Sequence, residues 1–118
     1  MNWSLAANGL FASHPQEIEG PLRVIRGVHD IVAMMKEPDS ESWIGVTNVA
    51  GGSAVSTIIR RTRAIVTTIG GPHSHIVVVA RDYEVPCIVG ANALDLDALE
   101  DGVMIRLSPD GAVYLWQG

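Results

Sequence analysis

Only one cysteine, Cys87, occurs in the 118 residues. An intramolecular disulfide is therefore excluded, and no thiolate framework for zinc exists. Only one lysine, Lys36, is present, and the phosphate loop G-x-x-x-x-G-K-[ST] cannot be written around it. Basic residues are scarce in general: 8 Lys+Arg against 13 Asp+Glu give a formal charge of -5. Steady binding to nucleic acid or to an anionic membrane is not expected from such a balance. No apolar run approaches the roughly 18 residues of a membrane span. The first basic residue is Arg23, so no charged n-region of a secretory signal is expected. Charged residues make up only 18% and hydrophobic ones 47%, which argues for a packed core over disorder. The expectation is a soluble, reduced, cytoplasmic protein with one domain's length of chain.

Residues 1–20 have weak periodicity and end in Glu19-Gly20-Pro21. They read as an N-terminal arm anchored by Trp3, Leu10 and Phe11, ahead of a domain over residues 21–118. Leu22–Ile25 reads as a short strand. Val28, Ile31, Val32 and Met35 have the i, i+3, i+4, i+7 spacing of an amphipathic helix. Trp43–Thr47 reads as a strand, and a helix is expected from Ala54 to about Thr62, with Ser53 as its N-cap. The β-branched run Ala64–Thr68 is a buried strand that stops at Gly70-Gly71-Pro72. Ile76–Val79 is ambiguous by propensity, since β-branching favours a strand and a buried helix fits equally well; a helix is expected. Pro86–Val89 reads as a strand, Leu94–Leu99 as a helical turn. Val103–Leu107 and Ala112–Leu115 flank Ser108-Pro109-Asp110-Gly111 as a terminal hairpin. Alternating strands and helices give an α/β class.

Of the four histidines, His14 lies in the arm and His29 on the first helix. His73 and His75 follow the glycine pair and precede an apolar element. If Ser74 begins a helix, its unpaired N–H groups and positive dipole end face the loop that holds both rings. Such an end favours a bound phosphate and a neutral, nucleophilic imidazole. Gly70 and Gly71 let the backbone approach a phosphoryl group without an intervening Cβ. The pattern points to a histidine that binds or takes up a phosphoryl group.

The run Gly70-Gly71-Pro72-His73-Ser74-His75-Ile76-Val77-Val78-Val79-Ala80-Arg81-Asp82 resembles the phosphohistidine signature of phosphoenolpyruvate-utilising enzymes. Val85-Pro86-Cys87-Ile88-Val89-Gly90 resembles the second block of that family. Asp101-Gly102-Val103 and Asp110-Gly111-Ala112-Val113 resemble its closing steps. The resemblance implies a swivelling β/β/α phosphohistidine domain, as in pyruvate phosphate dikinase and phosphoenolpyruvate synthase. It places His75 at the phosphorylated position, and Gly70, Gly71, His73, Ser74 and Arg81 around the phosphate. It further implies a free-standing carrier, like the subunit of phenylphosphate synthase or of p-cresol phosphotransferases. ATP and Mg2+ would then be bound mainly by a larger nucleotide-binding, dikinase-like subunit. The acceptor would be a phenolic hydroxyl, with pyruvate as the second choice.

Blander readings stand beside these. His75 could be a hydrogen-bonded structural residue, or a His-x-His pair could ligate a metal with Asp82 or Glu84. A swivelling module that only regulates a partner is a further alternative. Arg60, Arg61 and Arg63 read as a solvated helix end, or as a docking patch for an anionic partner face. Cys87 reads as packing within a buried strand.

Overall fold

Apolar residues occupy both faces of the central strands, and the fold is the arrangement that keeps both from water. The computed structural model describes residues 2–117. In chain order the elements are β1 (Trp3–Asn8), β2 (Leu10–Ser13), β3 (Ile18–Ile25), α1 (Val28–Met35), β4 (Ile44–Thr47), α2 (Val55–Arg60), β5 (Ala64–Thr67), α3 (His75–Asp82), β6 (Cys87–Val89), β7 (Met104–Leu107) and β8 (Ala112–Trp116). Single 3-10 turns occur at Ser40–Ser42 and Leu96–Ala98.

The strands form one sheet in the order β1-β8-β7-β3-β4-β5-β6-β2. Strands β3 to β6 run parallel, and the flanking pairs are antiparallel. One face of β3–β6, with Leu22, Val24, Ile44, Val46, Ala64, Val66 and Ile88, packs on Ile105, Leu107 and Val113 from β7 and β8. The other face, with Ile25, Ile65, Cys87 and Val89, lies under α1, α2 and α3. This is a β/β/α layering, as the sequence resemblance implies. Among the described residues no helix is long and apolar enough to cross a membrane.

Ile76–Val79 is helical because of its place in the topology. β5 and β6 are parallel neighbours, and such strands need a crossover, usually a helix packed on the sheet. Ile76, Val77, Val79 and Ala80 make the buried face of that helix. Tertiary burial thus overrides β-branched propensity. The terminal hairpin forms as expected, with Ile105 opposite Leu115 and Leu107 opposite Val113. Ser53 is not the N-cap of α2, which starts one residue later with Ala54 at the cap and no side-chain bond there.

The largest correction concerns residues 1–20. Residues 2–20 do not form an arm: β1 pairs with β8, β2 pairs with β6, and Ala7, Phe11 and Ile18 are in the core. The boundary expected between residues 20 and 21 falls inside β3. Proline normally interrupts a ladder. Pro21 is tolerated because β3 pairs with β7 over Ile18–Pro21 and with β4 over Leu22–Ile25. β1 and β2 lie at opposite ends of the strand order yet only Gly9 separates them, so the two ends of the sheet meet at this corner. Gly9 N–H donates to Gly111 O at 2.9 Å. Gly111 has φ +93, and a Cβ there would collide with the Gly9 carbonyl.

An arm and an integral strand differ in what truncating a side chain does. Phe11→Ala is expected to lower stability by about 3 kcal/mol through lost burial and a residual cavity, measured by urea unfolding. A loss under about 0.5 kcal/mol, the usual surface value, would return residues 1–20 to the status of an arm.

Candidate functional site

The C-terminal ends of β4, β5 and β6 lie together, and their loops build the pole of the molecule that carries the sequence-predicted site. Open α/β sheets commonly place their chemistry at this edge. Thr47 and Thr67, the last residues of β4 and β5, are fully buried. Thr47 Oγ1 donates to Ile25 O at 2.6 Å and accepts from Val49 N–H at 3.2 Å. Thr67 Oγ1 accepts from Ile69 N–H at 3.4 Å. Backbone bonds then join the loops: Thr68 N–H to Thr47 O (3.0 Å), Ala91 N–H to Thr67 O (3.1 Å) and Gly90 N–H to Ile69 O (3.2 Å). The base of the site is therefore held at several independent points.

Gly70, Gly71 and Ser74 form a closed turn on this base. Gly70 has φ +91, and a Cβ would stand 2.6 Å from Ser74 Oγ and 3.2 Å from the Ala50 Cβ. Ser74 Oγ donates to Gly71 O at 2.7 Å and accepts from Gly71 N–H at 2.7 Å. The hydroxyl is thus spent on the turn and makes no capping bond to α3, although Ser74 does occupy the N-cap position. Ile76 N–H donates to Ala50 O at 3.0 Å, and Val77 N–H to Ser74 O at 3.0 Å. Among the described residues the His75 amide has no backbone acceptor, so this first-turn donor is left over at the positive end of the helix.

His75 is the first residue of α3, and its side chain is exposed; His73 is exposed two residues earlier. The structure therefore brings Gly70, Gly71, His73, Ser74 and His75 together in one turn. It does not bring Arg81 there. Six residues along a helix correspond to about 9 Å, and Arg81 Nε donates to Ala12 O at 3.2 Å. Arg81 ties the end of α3 to β2, and its expected place at the phosphate is corrected accordingly. Asp82 and Glu84 lie at the same far end, so the His-x-His metal set is not assembled. Among the described residues no group of three or more His, Cys, Asp or Glu could hold a metal ion.

A polar cleft lies elsewhere. It is lined by Met35, Glu41, Thr57, Arg60 and Arg61 at the pole where the parallel strands begin. Arg60 lies over the Tyr83 ring at 5.8 Å, Arg61 Nη1 donates to Met35 O at 3.4 Å, and Arg63 Nη1 to Glu19 O at 2.8 Å. His75 lies outside this cleft, on an exposed turn.

Sequence reasoning missed three parts of the site. The Ala50 carbonyl receives α3's second amide, Thr67 anchors the loop, and Gly90 (φ +68) stands where a Cβ would lie 3.4 Å from the Gly70 carbonyl oxygen. Only Thr67 left a signal, as a polar residue ending an otherwise apolar run.

A profile of the family described as "PEP-utilising enzyme, mobile domain" matches residues 42–110, more than half of the chain. The chain belongs to this family. The match spans β4 to the turn of the terminal hairpin and includes the whole glycine–histidine turn. The mobile-domain family points to a phosphohistidine carrier role. No curated protein sequence matches the chain. Among solved structures, aconitase X of Thermococcus kodakaraensis (holo-form) is similar at TM-score 0.64 and 16% identity, covering 94% of this chain and 98% of that one. A UPF0107 protein solved by NMR is similar at TM-score 0.63 and 16% identity, covering 93% and 98%. The Enzyme I (nEIt) protein is similar at TM-score 0.55 and 19% identity, covering 70% of this chain and 33% of that one. At such identities the likeness is one of fold.

Cys87 sits in β6 of this mobile domain, and burial pushes its thiol up to about 12. It packs, as the sequence suggests. Because this folded value exceeds the ordinary 9.0, the unfolded thiol ionises first, and Cys87 lowers stability as pH rises above about 9. Native protein at pH 8 should leave Cys87 unalkylated by iodoacetamide, whereas urea-unfolded protein should react fully; mass spectrometry distinguishes the two. Rapid labelling of the native chain would show that the strand opens readily.

Proposed function

We propose that this mobile domain is the phosphoryl-carrier component of a two-component, ATP-dependent phosphotransferase, with His75 as the phosphorylated group. The observation that carries the proposal is an exposed imidazole at the first turn of α3, beside a free helix amide and a closed glycine turn. A lone pair on a His75 ring nitrogen attacks a phosphoryl phosphorus of ATP held by a nucleotide-binding subunit. The phosphorus–oxygen bond breaks, its electron pair stays on the leaving phosphate oxygen, and a phosphorus–nitrogen bond forms. The other ring nitrogen keeps its hydrogen. In the second step an acceptor hydroxyl oxygen attacks phosphorus, the phosphorus–nitrogen bond breaks, and the lone pair returns to the ring. The hydroxyl proton leaves to a base at the acceptor site.

Mg2+ would neutralise charge on the nucleotide. It belongs on the partner in this proposal, because the glycine–histidine turn, residues 68–74, contains no carboxylate to hold it. What this chain contributes is the nucleophile, a rigid turn that aims it, and one backbone N–H at a helix start for the phosphoryl oxygens. His73 adds a second donor from the same turn. The phenolic acceptor, of the phenol or p-cresol type, rests on the resemblance to two-component phosphotransferases.

With the nucleotide-binding subunit, Mg2+ and radiolabelled ATP, the chain is expected to gain an acid-labile, base-stable label that peptide mapping assigns to His75. His75→Ala should abolish labelling and acceptor phosphorylation with little change in unfolding, since the side chain is exposed. His73→Ala should slow transfer by about tenfold without removing the label, the value of about one hydrogen-bond donor. Label on Ser74 or His73, or full turnover by His75→Ala, would overturn the mechanism. Offering phenol, p-cresol and pyruvate in parallel identifies the acceptor, and transfer to pyruvate alone would replace the phenolic assignment.

A further inference from the structure

Strand β1 ends the sheet order, and among the described residues it has β8 on one side and no strand on the other. Gln117 N–H donates to Asn2 O at 2.7 Å, and the two stand opposite each other in the register that pairs Trp3 with Trp116. Antiparallel ladders alternate hydrogen-bonded and non-hydrogen-bonded pairs. Asn2 and Ser4 therefore bond toward β8, while the N–H and C=O groups of Trp3 and Leu5 point to the open side. Among the described residues no loop backbone group takes them up. Exposed edges are usually guarded by charge, proline or a bulge. Trp3–Asn8 has neither charge nor proline, and its bulge, between Leu5 and Ala7, leaves Trp3–Leu5 regular. The other end of the sheet differs: at β2, Arg81 Nε takes the Ala12 carbonyl.

The side chains flanking this edge are apolar. Leu5 is 54% exposed and Trp116 41%. Trp3 meets Trp116 edge to face, with ring centroids 5.2 Å apart. Charge stands at the margins. Arg106 lies over the Trp3 ring at 4.4 Å and pairs with Glu19 at 2.8 Å. Glu100 shares a groove with Trp116, and Asp110 sits in the hairpin turn beyond the Asn8 end of the strand.

We propose that β1 is a homodimer interface, in which two copies pair β1 with β1 antiparallel about a two-fold axis at Ser4. In this register Trp3 of each copy exchanges both backbone bonds with Leu5 of the other, so every outward group of Trp3 and Leu5 finds a partner. The same register lays each Trp3 beside the other copy's Leu5 on one face of a continuous sheet, which removes apolar area from water. The occupant is a second copy because the edge is complementary to itself. Its donors and acceptors repeat under the two-fold, and it has no charge to repel its own image. An unrelated strand would match the backbone alone, whereas the two-fold also matches Trp3 to Leu5 twice. α3 packs on the opposite face of β3–β6 from β7 and β8, so the interface is separate from the His75 turn.

Sedimentation velocity of the full chain should show monomers passing to dimers between about 1 and 500 μM, the range of a small interface. Leu5→Lys should stay monomeric throughout, with unchanged circular dichroism because the side chain is exposed. Ser4→Cys gives the sharper reading. Directly opposite, non-hydrogen-bonded residues stand about 4.5 Å apart at Cα, within reach of a disulfide. Mild oxidation should therefore link Ser4→Cys chains into a dimer that dithiothreitol releases. Asn8→Cys, whose copies lie about 27 Å apart in this register, should not link, and buried Cys87 should give no link in the wild-type chain. A wild-type chain that stays monomeric up to about 500 μM would overturn the inference. So would a dimer that survives Leu5→Lys, or Ser4→Cys chains that link no faster than Asn8→Cys ones.

Discussion

Burial of both faces of β4 and β5 is the constraint from which the rest of the structure follows. Ile44, Val46, Ala64 and Val66 face one core and Ile65 the other, so neither side of these strands can be left to water. One face is covered by the β7–β8 hairpin and the other by three helices. Because β4, β5 and β6 are parallel, each connection must return across the sheet, and α2 and α3 are those returns. All the loops leaving the strands then gather at one pole. The position of His75 is thus a consequence of how the core is buried.

Rigidity at the glycine–histidine turn comes from backbone groups and hydroxyls, without any ion pair. The three salt bridges among the described residues, Arg23–Asp101, Arg26–Asp97 and Arg106–Glu19, all lie outside the glycine–histidine turn. Exposed pairs of this kind contribute little to stability. Ser74, Thr47 and Thr67 instead accept from loop amides directly, at distances of 2.7 to 3.4 Å. Such bonds hold a turn in shape in any salt, which suits the nucleophile role proposed for His75.

Much of this was visible in the residues. The glycine pair, the two histidines and the apolar run after them located the site, because a turn that needs φ > 0 and a helix start leave local marks. The terminal hairpin was visible for the same reason, in Ser108-Pro109-Asp110-Gly111. What stayed hidden was non-local. Residues 1–20 show no arm-like feature once paired, but their partners are β8 and β6, about eighty or more residues away, and pairing over such a separation leaves no periodic trace in a half-exposed edge strand. Pro21 misled because its meaning depends on where β3 changes neighbours. Arg81 was placed at the phosphate by family resemblance, whereas helix geometry sends it to the opposite end of α3.

The lack of charged side chains in the glycine–histidine turn, residues 68–74, bears on the energetics of the proposed carrier. A phosphoryl group held by arginines or a resident metal would be stabilised while waiting, and that stabilisation would have to be surrendered at the acceptor. Only interactions that strengthen in the transition state accelerate transfer. In the proposed carrier the turn would supply one spare helix amide and a neighbouring imidazole, enough to orient the phosphoryl oxygens and stabilise them modestly. Strong cationic stabilisation is left to whichever site the carrier enters, where it acts on the transition state. A carrier built this way keeps its phosphoramidate close to the reactivity of the free compound, so that transfer in either direction is governed by the partner and not by the domain that travels.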